Sequence, residues 1–186
     1  METRNHLFII TGMPASGKTS LACALAKHTA GCLIDIDTAT ESIVRAAMQQ
    51  LTGDSDDRDS PFFKEIFREP IYENLFAIAD ENLPHTDAIL TGPFTREMQN
   101  ERWPEQVQKR LSTPCKITCV FVHCDEELRR ERLINRANPR DAAKLENWTD
   151  HLRYYDRDRF PSYPHFPIDT GDIDYFENAL RNGLLD

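Results

Sequence analysis

Eight residues near the amino end constrain this chain more than any others. Gly12-Met13-Pro14-Ala15-Ser16-Gly17-Lys18-Thr19 fits the pattern G-x-x-x-x-G-K-[ST] at every position, and its flanks are those the pattern requires. Leu7 to Thr11 reads as a short apolar strand, and Lys18 to His28 reads as a helix with Leu21, Ala22 and Leu25 at helical spacing. The glycines permit a tight turn whose successive N–H groups point inward, at a helix N-terminus that favours negative charge, so the loop suits a phosphate chain. A lysine there opposes the helix macrodipole unless an anion is bound. Lys18 is therefore expected on the β- and γ-phosphates and the Thr19 hydroxyl on Mg²⁺, with all eight residues binding nucleotide.

The rest of the chain repeats the alternation. Cys32-Leu33-Ile34, Ala88-Ile89-Leu90, Ile117 to Val122 and the weaker Phe166-Pro167-Ile168 are short apolar runs. Helical patterns fall between them, from Thr40 to Leu51 and from Phe62 to Leu83, the second expected to break at Pro70, which lacks an N–H and clashes with the preceding turn. Strands that are apolar on both faces belong in a parallel sheet covered on both sides. The expected fold is α/β in three layers, around a mainly parallel five-stranded sheet. Ligands of such sheets lie at the carboxyl ends of the strands, so Gly12 to Thr19, Asp35 with Asp37, and Thr91-Gly92 are expected to converge. Gly53 to Ser60 is acidic and turn-rich and reads as a solvated loop.

With 186 residues, 40% of them hydrophobic, the chain suits one domain over 1–186 with one site. A formal net charge of −9 disfavours nucleic acid as a partner, because affinity for a phosphate backbone comes from clustered Lys and Arg. A small-molecule acceptor fits better, bound by a monomer or a homodimer. The first apolar run is too short for a signal segment or a membrane span, which points to a cytoplasmic protein. Cys23, Cys32, Cys115, Cys119 and Cys124 contain no CxxC pair and read as reduced packing residues.

Two clusters carry chemistry beyond the loop. Phosphoryl transfer to an alcohol needs a carboxylate beside the attacking hydroxyl and oxygen ligands for hydrated Mg²⁺. Asp35 and Asp37 follow the second strand, and residues two apart in a strand share a side. Asp37 is expected as general base or acceptor anchor and Asp35 as a ligand of Mg²⁺ through water; capping the helix that begins near Thr38 or Thr40 is the competing use of either. After the fourth strand, Asp125 reads as a helix N-cap, Arg132 and Arg136 share a helix face, and Pro139 places Arg140 on a loop. Guanidinium groups bind phosphate oxygens in bidentate fashion and stabilise charge that develops in transfer. Arg132, Arg136 and Arg140 are thus expected on a flap over the phosphates, Arg132 and Arg136 acting in transfer. A solvated face of Glu–Arg pairs is the competing reading, and it suits Arg129 and Arg130 best.

On these residues the chain resembles the P-loop small-molecule kinases, a group that includes shikimate, gluconate and adenylylsulfate kinases, chloramphenicol phosphotransferase and AAA-type kinases, the last most closely. The resemblance spans most of the chain. It implies ATP and Mg²⁺, a D-x-D pair at Asp35-Ile36-Asp37 whose second Asp contacts the substrate hydroxyl, and a lid over ATP at about 129–148, with Lys144, Trp148 and Tyr154 in the same region. It further implies acceptor-covering helices at about 40–83 and an adenine-passing loop at Asp169-Thr170-Gly171. One departure is Thr91, where many relatives carry an acid; Asp87 comes too early in that strand, which leaves the metal to Thr19 and Asp35. Lys64, Arg68 and Tyr72 share one helix face, suited to an anionic or hydroxylated acceptor or equally to solvent. Phe62, Phe63, Phe67, Phe76 and Trp148 read as core. A nucleoside or polynucleotide-end kinase, and a nucleotide switch or assembly motor without its own acceptor, are the alternatives; charge and length count against them.

Overall fold

The computed structural model describes residues 5–58, 60–138, 141–149, 152 and 160–186; Pro139, Arg140 and Tyr154 lie outside them. Its strands β1 (His6–Gly12), β2 (Cys32–Asp35), β3 (Ala88–Thr91), β4 (Lys116–His123) and β5 (Phe166–Asp169) form one sheet in the order β2-β3-β1-β4-β5. Every pairing is parallel. The alternation of short apolar runs with helices leads to this arrangement, because a parallel neighbour is reached only through a crossover.

The centre of the sheet explains the continuous apolar reading of β1. Leu7 and Ile9 face one core layer while Phe8 and Ile10 face the other, all fully buried. On the first side they meet α4 (Arg68–Asn82) through Leu75 and Phe76 and α5 (Trp103–Arg110) through Trp103 and Val107. On the second they meet α1 (Lys18–Thr29) through Leu21 and Leu25 and α8 (Tyr175–Arg181) through Ala179. The remaining helices are α2 (Ile36–Thr52), α3 (Pro61–Ile66), α6 (Glu126–Arg136) and α7 (Ala142–Glu146). Among the described residues no helix is long and apolar enough to cross a membrane.

Several boundaries differ from the sequence reading. The break in the helical stretch after residue 61 falls at Phe67, between α3 and α4, not at Pro70. Pro70 is the third residue of α4, where an N–H would have no intrahelical partner, and its ring excludes the carbonyl of Ile66, which is where α3 stops. Strand β2 ends at Asp35 and α2 starts at Ile36, so Asp37 stands in a first helical turn rather than in a strand. The sequence reading gave no sign of α5, whose buried residues are only Trp103 and Val107. Phe63 and Phe76 are core, but Phe62 is exposed, and so is Cys23, against its reading as a packing residue.

The turn after β3 positions one wall of the site. Phe94 is fully buried at φ +40°, with ring centroids 4.9 Å from Tyr72 and 5.0 Å from Trp103. A Cβ on Gly92 would lie 2.9 Å from that ring, so glycine is needed for the chain to fold Phe94 back under itself. Phe94→Ala should cost about 3–5 kcal/mol, read from the urea unfolding midpoint.

At the opposite end of the sheet His6 is 8% exposed, with its ring 2.6 Å from the Thr118 hydroxyl and its backbone N–H donated to Asp87 over 2.8 Å. Burial and Lys116 push its imidazole down to about 4, against the pull of Asp87. The unfolded chain protonates this group near the ordinary value of 6.5 and so binds more protons than the folded chain between the two values. Stability should therefore fall as pH drops from 6.5 towards 4. Urea titrations across that window should show a flatter decline for His6→Gln than for the parent.

Candidate active site

The β1–α1 loop is set by close backbone packing. Gly12 has φ +148°, and a Cβ there would lie 2.1 Å from the carbonyl oxygen of Val122 in β4, a backbone atom that cannot step aside. Gly17 has φ +97° and its Cβ would lie 3.1 Å from Thr170. Both glycines of the motif are thus required by neighbours as well as by dihedral angle. Lys18 folds its ammonium onto the loop itself, donating to the carbonyls of Gly12 (2.9 Å) and Met13 (2.7 Å). Burial pushes that ammonium down to about 8, with Asp37 and Asp35 pulling it up and Arg136 and Lys144 pushing it further down.

Asp35 divides its two oxygens. Oδ1 accepts the N–H of Thr38 over 3.0 Å, capping α2, and Oδ2 lies 3.5 Å from the Thr19 hydroxyl that points to it. Capping and proximity to Thr19, read from the sequence as competing uses, occur together. Asp37, in the first turn of α2, lines the same cavity. That cavity measures about 720 Å³, a volume suited to a ligand of metabolite size. Its wall includes Ala15, Gly17, Lys18 and Thr19, the tip of β3 at Thr91 and Gly92, and Arg132 with Arg136 from α6. The three strand ends therefore meet, as expected.

The arginines are held more firmly than a swinging flap implies. Arg132 donates to the Thr170 hydroxyl (2.9 Å) and to the Thr170 carbonyl (2.8 Å), with longer contacts to the Ala15 carbonyl and to Cys124 Sγ. The Thr170 hydroxyl in turn donates to the Ser16 carbonyl over 2.6 Å. Thr170, in the loop expected to pass adenine, braces the phosphate loop against α6. Arg136 binds Asp141 through two nitrogens at 2.9 and 2.5 Å, and Lys144 binds its other oxygen at 3.0 Å. Asp141 is almost completely buried. The sequence reading placed this carboxylate in the lid region but gave it no role, although its spacing of five from Arg136 was available as a signal. Arg129 is buried too, its guanidinium 5.7 Å from the Trp148 ring, which corrects its assignment to a solvated face. Trp148 is half-buried rather than core, and its indole N–H donates to Glu126 over 2.9 Å. Asp125 sits at the N-cap of α6 without a side-chain capping bond.

Mg²⁺ fits the oxygens present. Thr19 and Asp35 are hard oxygen donors close together on the wall of the cavity. The described residues contain no group of three or more His, Cys, Asp or Glu able to hold a metal. Few protein ligands suit an ion that keeps its waters and relies on phosphate oxygens.

The AAA domain model AAA_33 matches residues 7–157. The chain belongs to this family. The AAA domain match runs from β1 past α7, so it contains the loop, Asp35, Asp37 and the α6 arginines but not Thr170. No curated protein matches the sequence. Among solved structures the chain is similar to a sugar kinase from Janibacter sp. HTCC2649, with 19% identity, TM-score 0.64, and coverage of 96% of this chain and 93% of that one. It is also similar to a gluconokinase from Sinorhizobium meliloti 1021 (18%, TM-score 0.53, 97% and 92%). A shikimate kinase from Bacteroides thetaiotaomicron gives 18%, TM-score 0.55, and 98% of both chains. At these identities the likeness is one of fold, and the AAA domain here has the fold of a P-loop kinase. Thr170→Val should cost about 1–3 kcal/mol, because it removes the hydroxyl's bonds to Arg132 and to the Ser16 carbonyl. Hydrogen exchange at residues 13–17 should quicken with it; unchanged exchange there would show that the hydroxyl does not brace the loop.

Proposed function

We propose that the protein transfers the γ-phosphoryl group of Mg-ATP to a hydroxyl of a small molecule, as a single catalytic unit. The observation that carries this reading is the shared cavity, in which the phosphate loop and Asp37 line one space with the α3–α4 helices. In transfer, the acceptor oxygen bonds to the γ-phosphorus while the bond from that phosphorus to the β–γ bridging oxygen breaks, releasing ADP. Asp37 takes the hydroxyl proton. The amides of residues 12–19 and Lys18 hold the phosphate chain in line, and Arg136 meets charge on the transferred group. Arg132 is a positioning group that ties α6 to the loop through Thr170. Thr19 and Asp35 would hold Mg²⁺, which would supply neutralisation of phosphate charge.

Lys18→Ala should lower turnover by about 10³-fold or more. Asp37→Asn should lower it by at least about 10²-fold while ATP affinity holds; full phosphorylation of the acceptor by that variant removes Asp37 from the base role. ADP release across sugars, amino acids, nucleosides and aminoglycosides identifies the acceptor. Because the Lys18 ammonium is pushed down to about 8, a bound polyanion raises it again and the complex takes up a proton. Calorimetry near pH 8 in buffers of differing ionisation enthalpy should reveal this uptake, which should vanish about two units lower and in Lys18→Ala.

A further inference from the structure

We infer that α2 is the surface through which two copies of this chain associate, the helices lying antiparallel about a two-fold axis beside Ala47. Along α2, Ile43 is 72% exposed and Leu51 59%. With half-buried Ala47 between them they recur every four residues and form one apolar stripe. The inward face of the helix is a different set, Thr40, Val44 and Met48. Large apolar side chains gathered on an outer surface mark a contact.

Charge identifies the occupant. The other long helices, α1, α4, α5 and α6, place ionised side chains at exposed positions, among them Lys27, Glu73, Lys109 and Arg130. From Ser42 to Thr52 no exposed residue of α2 is charged. Arg45, the one ionised residue in that span, is paired with Asp56 and lies about 200° round the helix from both Ile43 and Ala47. A chain of net charge −9 repels its own copies, so two of them approach best where neither brings a carboxylate. An isologous contact adds the condition that the patch match itself. A charged patch meets its own charge across the axis, whereas an apolar stripe meets apolar surface.

With the axis at Ala47, Ile43 of one copy lies over Leu51 of the partner subunit, and the two alanines let the helix axes approach to about 8 Å. Other occupants fit the same pattern less well. A basic protein finds no carboxylate on the stripe. Helices that lie on lipid carry Lys and Arg along their polar side, where α2 carries Asp37 and Glu41. One helix pair covers less than the roughly 1,600 Å² of a standard interface, so the dimer should dissociate at micromolar concentration. Because α2 is capped by Asp35 and carries Asp37 in its first turn, the contact also restrains the helix that presents both carboxylates to the cavity.

Sedimentation velocity from about 1 to about 500 μM should show the chain passing from monomer to dimer. Ile43→Glu and Leu51→Glu place an unpaired carboxylate in the contact and should each weaken association about 100-fold, with the urea midpoint unchanged because both positions are exposed. The geometry is read on a Cys23→Ser background, which removes an exposed thiol. Under oxidised glutathione Ala47→Cys should link to itself, since the axis brings its two Cβ atoms into disulfide range. Ile43→Cys should link to Leu51→Cys about tenfold faster than either links to itself, and Gln49→Cys, about 200° from Ala47, should stay unlinked. A chain still monomeric at about 500 μM, which would leave the stripe to a different protein, overturns the inference. So does a dimer indifferent to both Glu variants, or Gln49→Cys linking as fast as Ala47→Cys. Cosedimentation of the monomer with phosphatidylcholine–phosphatidylglycerol vesicles that Ile43→Glu abolishes would make a lipid surface the occupant and overturns it as well.

Discussion

The approach of Gly12 to Val122 is the contact on which the rest of the site depends. With no Cβ on residue 12, the end of β1 presses against the β4 backbone, and the chain turns at once into α1. That turn aims the N-terminus of α1 at the place where β2 and β3 also end. A larger residue would push β1 from β4 or lift the loop off the sheet. Either movement would separate Lys18 and Thr19 from Asp35.

Around that contact, the loop is clamped by groups far apart in sequence. Thr170 reaches from beyond β5 to the Ser16 carbonyl and receives Arg132 from α6, so one hydroxyl joins three segments. The arginine is thereby committed before any ligand arrives, as is Arg136 through buried Asp141. Prior commitment of this kind lowers the cost of arranging charges when a polyanion binds, since the protein dipoles and cations are already oriented. Arg136, half exposed, is anchored by the buried Asp141 carboxylate, and Arg132 by Thr170.

The α3–α4 region supplies the part of the cavity that the phosphate loop cannot. Pro70 ends α3 by excluding a carbonyl, and the resulting break lets Lys64 and Arg68 approach the same space from two helices. Phe94, held under Gly92, supports Tyr72 from behind. Packing and charge on this wall are therefore consequences of the same local chain reversals.

The linear order of residues determined the fold class, the strand centres and the phosphate loop, because these depend on periodicity and on dihedral requirements that act within about ten residues. It also placed Asp35 and Asp37 near the loop, although through a strand geometry that the helix start at Ile36 replaces. Tertiary structure alone decided that Asp35 serves Thr38 and Thr19 with separate oxygens, that Thr170 braces the loop, that Arg129 is buried, and that Asp141 holds Arg136 and Lys144. Each of these depends on which side chains the sheet order brings within hydrogen-bond reach. Local propensity carries no information about partners that only chain crossovers bring together.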